Sequence, residues 1–301
     1  MSVGRLFNGE RVLVCAMRGW SDAGDAASDA VTEVRKTLGL DQVVGGIDDE
    51  RFYDYSATRP WVSITNGKRR IEWPHSVIYG PRPEDDHGIY VLIGDEPALH
   101  WQSYVDLLLD LCVTEGITAI VQVGSLLADT PHTRDIQVNS YCDDDELRLQ
   151  YSFEVSKYQG PLGVLSVFAE AAALEGIRSV ALWASVPHYA QAPDLPAAKA
   201  TLALTEELSE LLLFNFDRES MREAADAWEL RVTQAVERDE DLGQYVQFLE
   251  QTRDMVDSEA ASGDAIAAEF EAFLSTDADD RNDDPTREDD DPGEDDANDR
   301  N

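Results

Sequence analysis

VLVCAMRGWSDAGDAASDAVTEVRKTLG, residues 12–39, holds the reading that decides the fold. Val12 to Met17 run without a polar interruption, as a strand buried on both faces of a sheet requires. The period then changes. After the turn GWSDAG (19–24), the apolar positions from Asp25 to Leu38 follow helical spacing, and Gly39 supplies a stop. An apolar strand, a glycine-bounded turn and an amphipathic helix form the first half of a strand–crossover–strand unit. This places the chain in the α/β class, with a mostly parallel sheet.

The same alternation continues outward. QVVGGI (42–47) reads as the second strand, IYVLIG (89–94) as another, ITAIVQVG (117–124) as the central one and SVALWASV (179–186) as the last. Helices are expected over Pro97 to Glu115, over 160–176 with Pro161 in its first turn, and over Pro193 to Phe214. IQVNSY (136–141) reads as a short strand. WVSIT (61–65), Asn66-Gly67 and RRIEW (69–73) give an antiparallel hairpin, because Asn-Gly supplies the positive φ values of a type I′ turn. Beyond Asp217 the texture is helical. Met221, Ala225, Trp228, Val232 and Val236 form one stripe and Leu242, Tyr245, Val246, Leu249 and Val256 the next, with a shorter helix expected over Asp264 to Leu274. The expected organisation is an α/β core over 1–216, a C-terminal helical subdomain over 217–275 and a disordered acidic tail over 276–301.

Charge removes several classes of function. The 301 residues carry 24 Lys+Arg against 61 Asp+Glu, a net charge of −37. Binding to nucleic acid or to an anionic membrane needs a clustered basic surface, so neither is expected. Residues 276–301 alone hold thirteen Asp/Glu and three Arg, with only two alanines as apolar residues; such a run stays solvated unless a basic partner takes it up. Only four of the cations are lysines, a composition that a high-salt cytoplasm or a GC-rich genome produces. Cys15, Cys112 and Cys142 are odd in number and far apart, without metal-site spacing. They read as core residues of a reducing compartment. No apolar run approaches the ~20 residues of a membrane span, and the N-terminal run is too short for a signal peptide, so a cytoplasmic location is expected. No metal or cofactor signature is present.

The candidate site lies in the turns that follow strands. GWSDAG matches neither the nucleophile elbow, since Ser21 is followed by one residue too many, nor a dinucleotide or phosphate loop. Asp22, Asp25 and Asp29 suit the positive end of a helix and repel a phosphate there, so Ser21 or Asp22 reads equally as a helix cap. His132 and His188 sit in loops just after strands. If those strands are parallel, both loops open at one sheet edge with GWSDAG. Trp20, Asp22, Arg59, His132, Arg134 and His188 then line a ligand or interface cleft. In an enzymatic reading His132 or His188 is the base and Arg59 or Arg134 the anion clamp; in the other reading these side chains cap strands or bridge subunits. The stretch 51–61, rich in Arg and aromatics, serves either a subunit contact or a substrate lip.

Several landmarks together resemble the proteasome assembly chaperone family, in particular its long actinobacterial and archaeal members. They are Gly19-Trp20 with Asp22-Ala23-Gly24, Asp54-Tyr55 with Arg59-Pro60, Gly94 with Glu96-Pro97 and Trp101, Pro131-His132-Thr133-Arg134, Val186-Pro187-His188-Tyr189, and Asp264, Ile266, Ala267, Glu269-Phe270-Glu271 and Phe273-Leu274. The resemblance implies a three-layer α/β/α sandwich like that of nucleoside phosphorylases, with a C-terminal helical extension, and a homo-trimer. It also implies a non-enzymatic protein that binds or scaffolds other proteins; the alternative is a small-molecule enzyme of phosphorylase or hydrolase type. Eukaryotic and some archaeal relatives dock on proteasome α-subunits by a C-terminal hydrophobic-Tyr-any tripeptide. This sequence ends Asp299-Arg300-Asn301, so that docking mode is not expected.

Overall fold

The computed structural model describes residues 7 and 9–258, apart from 86 and 193; the helix expected over Asp264 to Leu274 and the acidic run 276–301 lie outside the described residues. Strand β1 (Val12–Arg18) occupies the middle of a seven-stranded sheet. The sheet order is β2 (Gln42–Ile47), β5 (Ser76–Gly80), β6 (Ile89–Asp95), β1, β7 (Ala119–Ala128), β9 (Arg178–Pro187), β8 (Val138–Cys142). The central four strands, β6, β1, β7 and β9, are mutually parallel, with Val12 opposite Ile89 on one side and Ala119 on the other. Antiparallel pairing is confined to the margins, where β5 joins β2 and β6, and β8 joins β9.

The continuous apolar run of β1 is explained by helices on both faces. Val12, Val14 and Ala16 belong to one core with α1 (Ala26–Thr37), α5 (Ala198–Leu212) and α6 (Arg218–Val236). Leu13, Cys15 and Met17 belong to the other, with α2 (Trp101–Glu115) and α4 (Val164–Leu174). This is the three-layer α/β/α arrangement. Trp228, Val232 and Val236 of α6, with Val246 from the helical residues 240–250, extend the first core outward across α5. Residues up to Glu250 form one compact unit. Among the described residues, no helix is long and apolar enough to cross a membrane.

The structure differs from the sequence reading at several places. Strand β5 is not expected from the sequence, because its five residues are a short segment between Pro74 and Pro81; pairing with β2 and β6 is what makes it a strand. A short helix α3 (Asp145–Tyr151), capped by the Asp144 carboxylate, follows β8. Helix α2 begins at Trp101, α4 at Val164 and α5 at Ala198, each later than the patterns suggested. The hairpin β3 (Trp61–Thr65) and β4 (Lys68–Glu72) forms a separate two-stranded sheet. Its turn has positive φ at both Asn66 and Gly67, as the Asn-Gly pair requires.

Candidate functional site

Parallel pairing of β6, β1, β7 and β9 brings the segments after Asp95, Arg18, Ala128 and Pro187 to one rim of the sheet. Five of the six candidate residues, all but Arg59, occupy three places along it.

Asp22 sits at the first. The turn leaves β1 through Gly19, and Gly24 (φ 61) and Asp25 (φ 57) in the left-handed region redirect the chain into α1. Asp22 Oδ1 accepts the Ala27 and Ser28 amides at 2.8 and 3.1 Å, capping α1 from ahead of its first residue. The turn is fastened to β7: the Ser125 amide donates to Ser21 O (2.9 Å) and the Ser125 hydroxyl to Ala23 O (3.0 Å). Asp22 is buried, and its Oδ2 has no hydrogen-bond partner. Loss of solvent therefore outweighs the capping bonds and pushes the Asp22 carboxyl up to about 6.

Trp20 is at the second place. Its indole is 71% exposed, while its amide donates to Glu96 Oε2 at 3.2 Å. Glu96 Oε1 accepts the Val164 amide at 2.9 Å, so one carboxylate joins the turn after β1 to the start of α4. Arg18 and Asp95, the last residues of β1 and β6, form a two-point ion pair at 2.9 and 3.1 Å beneath it. Arg59 is exposed in the segment that leads into β3 and makes no hydrogen bond or ion pair with the described residues.

The third place holds His132, Arg134 and His188 together. His132 is 1% exposed. Donor counting fixes its tautomer. Thr233 Oγ1 gives its one proton to Glu229 O (2.9 Å), so it accepts from His132 Nε2–H (3.0 Å); in the neutral ring Nδ1 then accepts the Tyr189 hydroxyl proton (2.9 Å), and the Tyr189 oxygen accepts the His132 amide (2.8 Å). Every site is filled by a neutral imidazole, and burial holds the histidine below its usual pKa. The Lys199 ammonium closes the network, donating to His132 O (2.8 Å) and Glu229 Oε2 (2.5 Å). Arg134 pairs with Glu250 at 3.5 Å, and the Thr133 hydroxyl donates to the same carboxylate. Partly exposed His188 sets Nδ1 3.2 Å from Asp129 Oδ1, which also accepts the Tyr245 hydroxyl at 3.0 Å. Its ring meets those of Tyr189 and Tyr245 edge-on.

Chemically, this third place joins the loops after β7 and β9 to α6 and the helix beyond it. Tyr189, Lys199, Glu229, Thr233, Tyr245 and Glu250 carry that function; in the sequence Tyr189 is only part of a family landmark and Tyr245 only a member of an apolar stripe, and Lys199, Glu229, Thr233, Glu250 and the capping role of Glu96 are not indicated. Lys199 offered a signal, being one of four lysines and standing within a helix otherwise free of cations. The three thiols are free and buried, and burial pushes Cys112 up to about 12 and Cys15 higher still. Among the described residues, no group of three or more His, Cys, Asp or Glu is placed to hold a metal ion.

Comparison with known proteins gives consistent results. The model of the PAC2 family matches residues 16–236. A proteasome-assembly chaperone homologue from Mycobacterium tuberculosis is 35% identical, over 78% of this chain and 99% of its own, with a TM-score of 0.68. A PAC2 family protein from Streptomyces avermitilis is also 35% identical over the same shares, with a TM-score of 0.69. An archaeal proteasome activator from Pyrococcus furiosus shares the fold at 16% identity, a TM-score of 0.60, and coverage of 75% of this chain and 93% of its own. The curated proteins give no match.

Proposed function

Because this chain belongs to the PAC2 family, we propose that it is a homo-oligomeric scaffold or assembly factor, trimeric and cytoplasmic, that binds other proteins and has no catalytic activity of its own. One observation carries the reading: large apolar side chains are turned outward, whereas His132 and Asp22, two polar groups of the rim, are buried and used within the fold. Trp20 on the rim and Trp61 and Ile64 on the hairpin are each more than two-thirds exposed. Both ring nitrogens of His132 and Oδ1 of Asp22 are bonded within the fold. Aromatic side chains offered to solvent are what protein interfaces select. The similarity to a proteasome-assembly chaperone homologue supports proteasome subunits as the partner to try first. Three free buried thiols suit a reducing cytoplasm.

The test is co-elution of the full chain, at native salt, with proteasome α-subunits and with extract from its own cells. A stoichiometric complex is expected. Recovery of the chain by itself from both would overturn the reading. The enzymatic alternative draws on His132 and His188; it gains only if a nucleoside or ester raises the melting temperature of the wild type and not of the double variant H132A/H188A.

A further inference from the structure

The β3–β4 ribbon belongs to neither core. Its register sets Val62 opposite Ile71 and Ile64 opposite Arg69, so these four side chains share one face. Trp61, Ser63 and Thr65 share the other with Glu72, Arg70 and Lys68. Both faces are largely open: on the first, Val62, Ile64 and Ile71 are exposed, and on the second Trp61 is 73% exposed while Ser63 is half-buried. A two-stranded ribbon is at best marginally stable in water by itself. This one is fixed at its base by the Tyr55 and Trp73 rings, 4.8 Å apart, and at its tip by the Asn66-Gly67 turn.

Its charge identifies what covers it. Between Arg59 and Trp73 the chain has four cations (Arg59, Lys68, Arg69, Arg70) and one acid (Glu72), in a protein whose net charge is −37. The ribbon is a basic, apolar projection from an acidic body. The chain's own run 276–301 matches the charge, but its two alanines leave the Val62–Ile64–Ile71 face bare. A polyanion such as nucleic acid meets repulsion from everything around the ribbon. A second copy of this chain brings carboxylates and apolar surface together.

We propose that the β3–β4 ribbon is the arm through which copies of this chain associate, with the Val62–Ile64–Ile71 face laid on the neighbouring copy, Arg69 of that same face against its carboxylates, and Lys68 and Arg70 of the opposite face adding longer-range attraction. This rests on the homo-oligomeric reading above and assigns it a surface. Light scattering and sedimentation of the full chain at several concentrations test it, using I64D/I71D and K68E/R69E/R70E. Wild type is expected to be oligomeric. I64D/I71D is expected to keep its circular dichroism and to dissociate at a concentration at least about tenfold higher, the effect of losing one buried aliphatic side chain. The charge-reversed variant is expected to weaken association at about 0.1 M salt and to recover toward wild type at about 1 M, where screening shortens the reach of charges to about 3 Å. A folded I64D/I71D that assembles like wild type would overturn the arm and leave the homo-oligomer standing. Should I64D/I71D fail to fold, wild-type assembly of K68E/R69E/R70E at low salt would overturn it equally. A wild type that stays monomeric throughout would remove both the arm and the homo-oligomer, and partner binding would stand on co-elution alone.

Discussion

Asp22→Asn separates two forces that oppose each other at one carboxylate. As a cap, Asp22 accepts two amides from the start of α1, an arrangement that stabilises the charged form and lowers a pKa. As a buried group with Oδ2 unpartnered, it loses hydration, which raises the pKa. Burial wins, at about 6 against an ordinary 3.8. Two pKa units are worth about 3 kcal/mol between protonation states. The folded value lies above the unfolded one, so between pH 3.8 and 6 the folded state holds more protons and stability falls as pH rises. From pH 7 to pH 5 the wild type should therefore gain about 1 kcal/mol relative to D22N, whose amide does not titrate and retains an acceptor for the two helix amides. Urea denaturation of both proteins at pH 5, 6 and 7 measures the difference and cancels the contributions of the other carboxylates. A difference that stays flat, or that moves against the wild type on acidification, would show the capping field to be stronger than the burial and would refute the reasoning.

Three further outcomes follow from the same geometry. His132→Leu should show the opposite pH trend. The folded pKa of His132 is depressed, so the wild type loses stability relative to the variant as pH falls below about 6.5, by up to about 1.4 kcal/mol per pH unit, in the same denaturation series. Trp228→Ala should cost about 3–5 kcal/mol by emptying the contact of α6 with its core, read from the denaturation midpoint. Trp228→Phe should cost much less, because the buried Nε1–H has no partner to lose. Gly94→Ala should lower the melting temperature sharply, since its Cβ would stand 2.5 Å from the Ser76 Cβ and 2.6 Å from the Ser76 Cα across the β5–β6 pair.

Much of the sheet was legible in the letters for a definite reason. Strands buried on both faces leave near-continuous apolar runs, and β1, β6 and the first seven residues of β7 are such strands; β9 alternates buried with half-buried positions, but Ala181 and Trp183 keep its half-buried side largely apolar too. The marginal strands are not: β5 alternates, β2 contains Gly45 and Gly46, and β8 is half-buried, so their direction and pairing come from neighbours and not from their own pattern. Asn66-Gly67 was readable because a turn type imposes backbone signs that few residue pairs satisfy. That the ribbon stands outside the sheet has a signal of its own in β4, four of whose five residues are charged, a composition that no strand of the sheet shares.

The rim shows where such reading stops. His132 and His188 look alike in sequence: each follows a strand, has a proline at its side and stands near an acid or a hydroxyl. Their fates diverge because of residues far along the chain, Thr233 101 positions after His132 and Tyr245 well beyond His188. Thr233 and Glu229 of α6 enclose His132, whereas Tyr245 only shares an acceptor with His188 and leaves it partly open to solvent. Within α6, Thr233 and Glu229 each follow a buried stripe residue, Val232 and Trp228. In a periodicity argument, polar residues just off an apolar stripe count as solvent-facing. Here they meet the polar ends of β-strand loops, because a helix laid across the rim presents its flank to those loops as well as its stripe to the core. Whether such a polar flank is wet or engaged depends on what it lies against, so a loop histidine can be read as a base or as a clasp only once the covering helix is placed.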